Sequence, residues 1–176
     1  MSPSVPLQPV TGAPRERLDE HGGQSSPLYE ALSNQPLLAA AWIDFAWALR
    51  NESSLSRGLR ELVILRTAQM HGVSYQWADH VPMALAAGVT KAQIDALADW
   101  HESSLFDPHT QAALRFTEEM VRGEASNEAL DSLARLYSPS ERIELILTAG
   151  FYCMTPRVLI ALRLDESQNH TRSGGN

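Results

Sequence analysis

Glu61 and His80 are the two residues in this chain whose types and spacing could do chemistry without outside help. The first stands in Arg60-Glu61-Leu62-Val63-Ile64-Leu65-Arg66, and the second closes His71-Gly72-Val73-Ser74-Tyr75-Gln76-Trp77-Ala78-Asp79-His80. At helical spacing Glu61 shares a face with Ile64, Leu65 and Ala68, and His80 shares one with Trp77, Ala84 and Ala87. A carboxylate and an imidazole meeting in apolar surroundings are the minimum equipment for proton transfer, one group holding or relaying the proton that the other moves. A structural reading stays open beside this one. A glutamate near a helix start also favours the macrodipole, and a histidine on an apolar face often serves as hydrogen-bonded core.

Other side chains could complete such a site. Tyr75 offers a hydroxyl to a developing oxyanion, and Trp77, Met83 and Tyr152 could wall a small substrate. Arg66 and Arg157 are candidate anchors for a substrate carboxylate, because a guanidinium binds one bidentately; either could equally serve as a surface charge. The single cysteine, Cys153, reads as a small buried hydrophobe and excludes an intrachain thiol pair. His71, His80, His101 and His109 lack metal-ligand spacing, and no glycine-rich phosphate loop or Gly-x-Ser-x-Gly elbow occurs, so no metal and no cofactor are expected.

These residues must be positioned by helices. Alanine and leucine abound, and no segment sustains the period-two alternation of strands. Pro36 opens a helix carrying Leu37, Ala41, Phe45 and Ala48. A second is expected from Arg57 to His71, stopped by Gly72, and a third after an N-cap at Ser74, ending at Gly88. Thr90 caps a short helix, Asp107-Pro108 starts one to Val121, and Ser138-Pro139-Ser140-Glu141 starts the last with a capping-box pattern. Glu61 and His80 each fall roughly 12 to 17 Å along their helices from the shared turn, at about 1.5 Å per residue, so a helical hairpin can bring them face to face. The expected fold is an all-α, single-domain bundle of about six to seven helices. Residues 28–164 form that body. Residues 1–27, with five prolines and Gly22-Gly23, are expected to be an arm without regular helix, and the polar residues 165–176 a flexible tail.

The pattern Arg-Glu-Leu-x-Ile-Leu-x-x-Ala, a glycine turn, Tyr-x-Trp-x-x-His and Ala-x-x-Ala-Gly-Val-Thr resembles the carboxymuconolactone decarboxylase family, in one superfamily with alkylhydroperoxidase D. The resemblance runs from about residue 57 to residue 97 and continues weakly through Phe151-Tyr152-Cys153-Met154 to Leu164. It implies an alkylhydroperoxidase D-like fold, a functional Glu61 and His80, and trimers or hexamers. The redox branch has a Cys-x-x-Cys pair where this chain has Val73 and Gln76, so the resemblance points to the branch without thiols. The implied reaction is that of a cofactor-independent lyase on a small unsaturated lactone or carbonyl acid, with His80 as acid/base, Glu61 as its partner and Tyr75 as oxyanion donor. Isomerisation, dehydration or hydrolysis on the same scaffold, or a noncatalytic helical oligomer, are the alternatives.

Composition bounds the partners. The chain has 176 residues and a net charge of −7, which disfavours phosphate backbones and anionic lipid. No apolar run approaches the roughly 20 residues of a bilayer span, and the N-terminus lacks the basic start and apolar stretch of a secretory signal. The expected partners are a small-molecule substrate and copies of the chain itself, with no nucleic acid and no membrane, in the cytoplasm.

Overall fold

The computed structural model describes residues 2–164, and the expectation of a flexible tail over 165–176 lies outside them. Among the described residues there are nine α-helices, one 3-10 segment and no strand. The helices are α1 (Ala13–Glu20), α2 (Pro27–Leu32), α3 (Pro36–Asn51), α4 (Arg57–His71), α5 (Ser74–Ala86), α6 (Lys91–Asp95), α7 (Pro108–Arg122), α8 (Asn127–Leu136) and α9 (Pro139–Leu162). The 3-10 segment, Leu97–Glu102, lies between α6 and α7. The count exceeds the expected six to seven because α1, α2, α8 and the 3-10 segment are short and their signals weak.

Helix ends follow local chemistry. Ser56 accepts from the Leu59 amide at the start of α4, and Gly72, at φ 64°, ends it in the left-handed region that a side chain resists. Thr90 and Gln93 form a reciprocal capping box on α6, Asp107 caps α7, and Ser138 and Glu141 exchange bonds at α9. One expected cap moves by a residue. Val73 takes the N-cap position of α5, and Ser74 is the first helical residue.

Contacts group the chain into two compact units. One comprises the chain up to Glu52 and from Arg157 onward; the other is Ser53–Pro156. In the first unit, α1 corrects the expectation that the leader holds no regular helix. Its proline, Pro14, falls in the first turn, where no amide hydrogen is required, and Gly12, Gly22 and Gly23 fall outside its ends. The leader is also tied down: the Ser4 amide donates to the Leu162 carbonyl at 2.9 Å, the Gln8 amide to that of Glu30 at 3.0 Å, and the Asn34 amide group to that of Pro6 at 2.7 Å. His21 stacks on Trp47 with ring centroids 4.5 Å apart.

The second unit holds two apolar clusters. Val63, Ala113, Phe116, Leu133, Leu145 and Ala149 anchor one; Leu62, Leu65, Ala84, Leu97, Trp100 and Leu114 anchor the other, with Trp77 packed against it. Helix α4 contributes to both, because Val63 faces one and Leu62 and Leu65 the other. It is buried nearly all round in its middle, which is why two of its charged residues, Arg60 and Glu61, are also out of water.

Helix α9 corrects one further expectation. It has 24 residues and contains an 18-residue stretch with a mean hydropathy of 1.7, so it is long and apolar enough to cross a bilayer by length and composition. Half of that apolar stretch is buried inside the protein, as in a core helix.

Candidate functional site

The two-residue turn Gly72–Val73 folds α5 back along α4 and brings together the pair singled out by spacing. His80 Nδ1 lies 2.8 Å from Glu61 Oε2, within hydrogen-bond distance. Both residues are buried, Glu61 at 3% exposure and His80 at 7%. With the carboxylate accepting, Nδ1 carries the hydrogen and Nε2 is left as the nitrogen that exchanges protons. The other carboxylate oxygen, Oε1, has Arg57 Nε at 3.8 Å, one helical turn away and reaching in from an exposed position.

Tyr152, on α9, stands edge-on to the imidazole with ring centroids 5.1 Å apart and planes at 89°, and is itself flanked by Phe151. It is buried at 3% exposure. Glu61, His80 and Tyr152 therefore form one cluster drawn from three helices. Tyr75 is half-buried in the first turn of α5. Five residues from His80, it is turned about 140° around the helix from it, at ~100° per residue. Met83, three residues after His80, is half-buried on the imidazole's side of α5. Trp77 is divided between the second apolar cluster and an open cleft of about 250 Å³ beside the turn, shared with Ala68, Gln69, Gly72, Val73 and Ser74.

Of the two arginines expected to anchor a carboxylate, Arg66 is engaged inside the protein. Arg66 reaches Glu118 from Nη2 at 2.7 Å and from Nε at 2.9 Å, and also bonds Gln69. Trp100 Nε1 donates to the same Glu118 oxygen at 2.6 Å. Burial works against ionisation of that carboxyl, but the bonds from Trp100 and Arg66 outweigh it and hold Glu118 below the usual carboxylate range. Arg157 belongs to the other unit and is exposed. Cys153 is buried on α9 beside Tyr152 in sequence.

Arg60 and Glu144, in the site's surroundings, escaped sequence reasoning. Arg60 is only 6% exposed, and its Nη1 donates to the Leu55 carbonyl at 2.5 Å. Burial pushes its guanidinium down, partly countered by the negative charges of Glu61 and Glu144. Glu144 in turn accepts from Ser53 Oγ at 2.6 Å, Ser54 Oγ at 2.9 Å and the Leu55 amide at 2.9 Å. Burial opposes its ionisation, but these donors hold it at about 2. The segment ahead of α4 is thus clasped by Glu144 from α9 and by Arg60 from α4, which fixes the end of the helix that carries Glu61. The only advance signal was the place of Arg60 beside Glu61. Gln76, four residues before His80 and 2% exposed, donates from Nε2 to Thr67 Oγ1 at 3.0 Å and to the Ile64 carbonyl at 3.2 Å, so it braces α5 against α4. Among the described residues no group of three or more His, Cys, Asp or Glu is placed to hold a metal ion.

Comparison with known proteins bears on the same elements. Residues 36–119, from α3 through most of α7, match the model of the carboxymuconolactone decarboxylase family, a span that includes Glu61 and His80. The uncharacterized protein YdfG of Bacillus subtilis (strain 168) is 26% identical over 114 residues, covering 63% of this chain and 78% of its own. Among solved structures, the debrominase Bmp8 in its apo form is similar with a TM-score of 0.74 at 17% identity, covering 90% of this chain and 88% of Bmp8. An uncharacterized peroxidase-related protein from Ralstonia eutropha JMP134 with an alkylhydroperoxidase AhpD core is similar with a TM-score of 0.69 at 17% identity, covering 91% and 92%. At these identities the two structures speak for the fold.

Proposed function

We propose that this chain, whose residues 36–119 match the carboxymuconolactone decarboxylase family and whose fold is alkylhydroperoxidase D-like, is a cofactor-independent lyase acting by general acid/base catalysis on a small unsaturated lactone or carbonyl acid. The observation that carries the proposal is the 2.8 Å contact between His80 Nδ1 and Glu61 Oε2, made by two side chains each more than nine-tenths buried in an apolar hairpin. A noncatalytic reading expected the two to lie too far apart to share a proton, or to have no cavity beside them, and the contact speaks against the first of these. A debrominase and a peroxidase-related protein share the fold, but this chain's single cysteine leaves no thiol pair, so its chemistry rests on the carboxylate and the imidazole.

In the proposed reaction a lactone carboxylate loses carbon dioxide, and the electron pair of the broken carbon–carbon bond passes into the conjugated lactone as a dienolate. One carbon is then reprotonated. His80 Nε2 first takes up a proton from solvent, giving an imidazolium that the Glu61 carboxylate stabilises and orients, and then delivers that proton to carbon, a division of labour worth typically about 10²- to 10⁴-fold in rate. A phenol supplies the oxyanion contact, Tyr75 in the reading from spacing or Tyr152, whose ring already abuts the imidazole. The active form in this proposal is a homo-oligomer, a trimer or hexamer, to which the exposed Leu147 and Met154 of α9 lend apolar surface.

The test is turnover of a panel of unsaturated γ-lactone carboxylates, followed by carbon dioxide release. Loss of turnover in His80→Gln, with the fold intact by circular dichroism, is the expected result. Full turnover in that variant would remove the assignment.

A further inference from the structure

A second binding site lies in the groove between α8 and α9, about 390 Å³ in volume and lined by Leu130, Leu133, Pro139, Arg142, Ile143 and Ile146. It shares no residue with the Glu61–His80–Tyr152 cluster. The volume falls in the range of small-ligand sites, roughly 300 to 1,000 Å³. Five of the six lining residues are aliphatic or proline, and two leave large apolar side chains in water, Ile143 at 57% exposure and Leu130 at 38%. The sixth, Arg142, has its Nε buried with no hydrogen-bond partner among the described residues.

That arginine is hard to explain by local structure. It sits in the first turn of α9, at the end where the helix dipole disfavours a cation. No carboxylate occupies its helical pairing positions: Ser138 and Pro139 precede it, and Leu145 and Ile146 follow. The two carboxylates nearest in sequence are committed elsewhere, Glu141 accepting from the Ser138 amide at 2.8 Å and Glu144 holding the Ser53–Leu55 segment. A guanidinium that lines an otherwise apolar groove and pairs with no carboxylate among the described residues is what an amphipathic anion would complete, since a guanidinium holds a carboxylate by charge-assisted bonds while the groove removes an alkyl chain from water.

We propose that this groove binds a medium-chain aliphatic carboxylate, with its headgroup on Arg142 and its chain against Leu130, Ile143 and Ile146. The test is calorimetric titration of the full chain with octanoate and, in parallel, with n-octylammonium, which has the same tail and the opposite charge. Octanoate is expected to bind saturably, and octylammonium at least about tenfold more weakly. Arg142→Gln is expected to weaken octanoate by about tenfold, from the loss of a charged hydrogen bond. Ile143→Asp is expected to abolish binding, and His80→Gln to leave it unchanged, which separates this site from the proposed active site. Should either groove variant lose its circular dichroism signal, Leu130→Asp, at another exposed position, reads the same groove. Equal affinity for the two amphiphiles, octanoate binding untouched by Arg142→Gln, or no saturable binding would overturn the proposal. So would a self-association, seen by ultracentrifugation, that Ile143→Asp abolishes and octanoate does not compete.

Discussion

Replacing Glu61 by glutamine separates the two roles that the buried pair could have. The amide keeps the volume of the carboxylate, so a residue 3% exposed leaves no cavity, and folding stability should change by no more than about 1 to 3 kcal/mol, the scale of one charged hydrogen bond. Chemistry should change far more. The amide can turn its NH₂ toward His80 Nδ1 at the 2.8 Å contact, which forces the imidazole hydrogen onto Nε2 and removes the lone pair that would move protons. Loss of the orienting carboxylate behind a catalytic imidazole is expected to cost about 10²- to 10⁴-fold in kcat/KM, or about 3 to 5 kcal/mol of transition-state stabilisation. Nitrogen chemical shifts of the His80 ring report the tautomer without any substrate, and kcat/KM on a responsive lactone reports the catalytic loss. An unchanged tautomer together with turnover within about twofold of the parent would refute the reasoning, because the pair would then be a packing contact.

Glu144 and Gly72 give two further tests. Glu144 is held at about 2 against an ordinary 4.5, so its folded-state pKa is depressed. The stabilisation it provides is complete above about pH 4.5 and is lost as the pH falls toward 2. The thermal midpoint of the parent should therefore exceed that of Glu144→Gln at pH 6, and the gap should close by pH 2; a gap that does not vary with pH would contradict the clasp on Ser53–Leu55. Gly72→Ala places a side chain at φ 64° in open space, so its cost is backbone strain alone, about 1 to 2 kcal/mol by urea denaturation. A neutral result would mean that the α4–α5 turn relaxes.

The parts of the site that could be read in the sequence are local ones. Ser56, Gly72, Thr90, Asp107 and Ser138 mark helix ends through bonds to residues within a few positions, so their chemistry is visible in the order of residues alone. The Glu61–His80 meeting was legible for the same reason: a two-residue turn leaves two helices little choice but to lie side by side. The leader was misread because its prolines and glycines were counted without their places, which in α1 are the first turn and the flanks.

What only the tertiary structure decided is which distant groups share a neighbourhood. Tyr152 abuts the imidazole because α9 is delivered there by packing, across 72 residues of chain, and no local period reports such an approach. Arg66 and Arg60 look alike as sequence. Glu118, from α7, engages the first in an internal ion pair, while the second is sealed against Leu55 and Glu61. Short-range bonds depend on residue order and are written in the chain. The partner that meets a buried charge depends on how apolar faces close over it, and that is settled only when the helices pack.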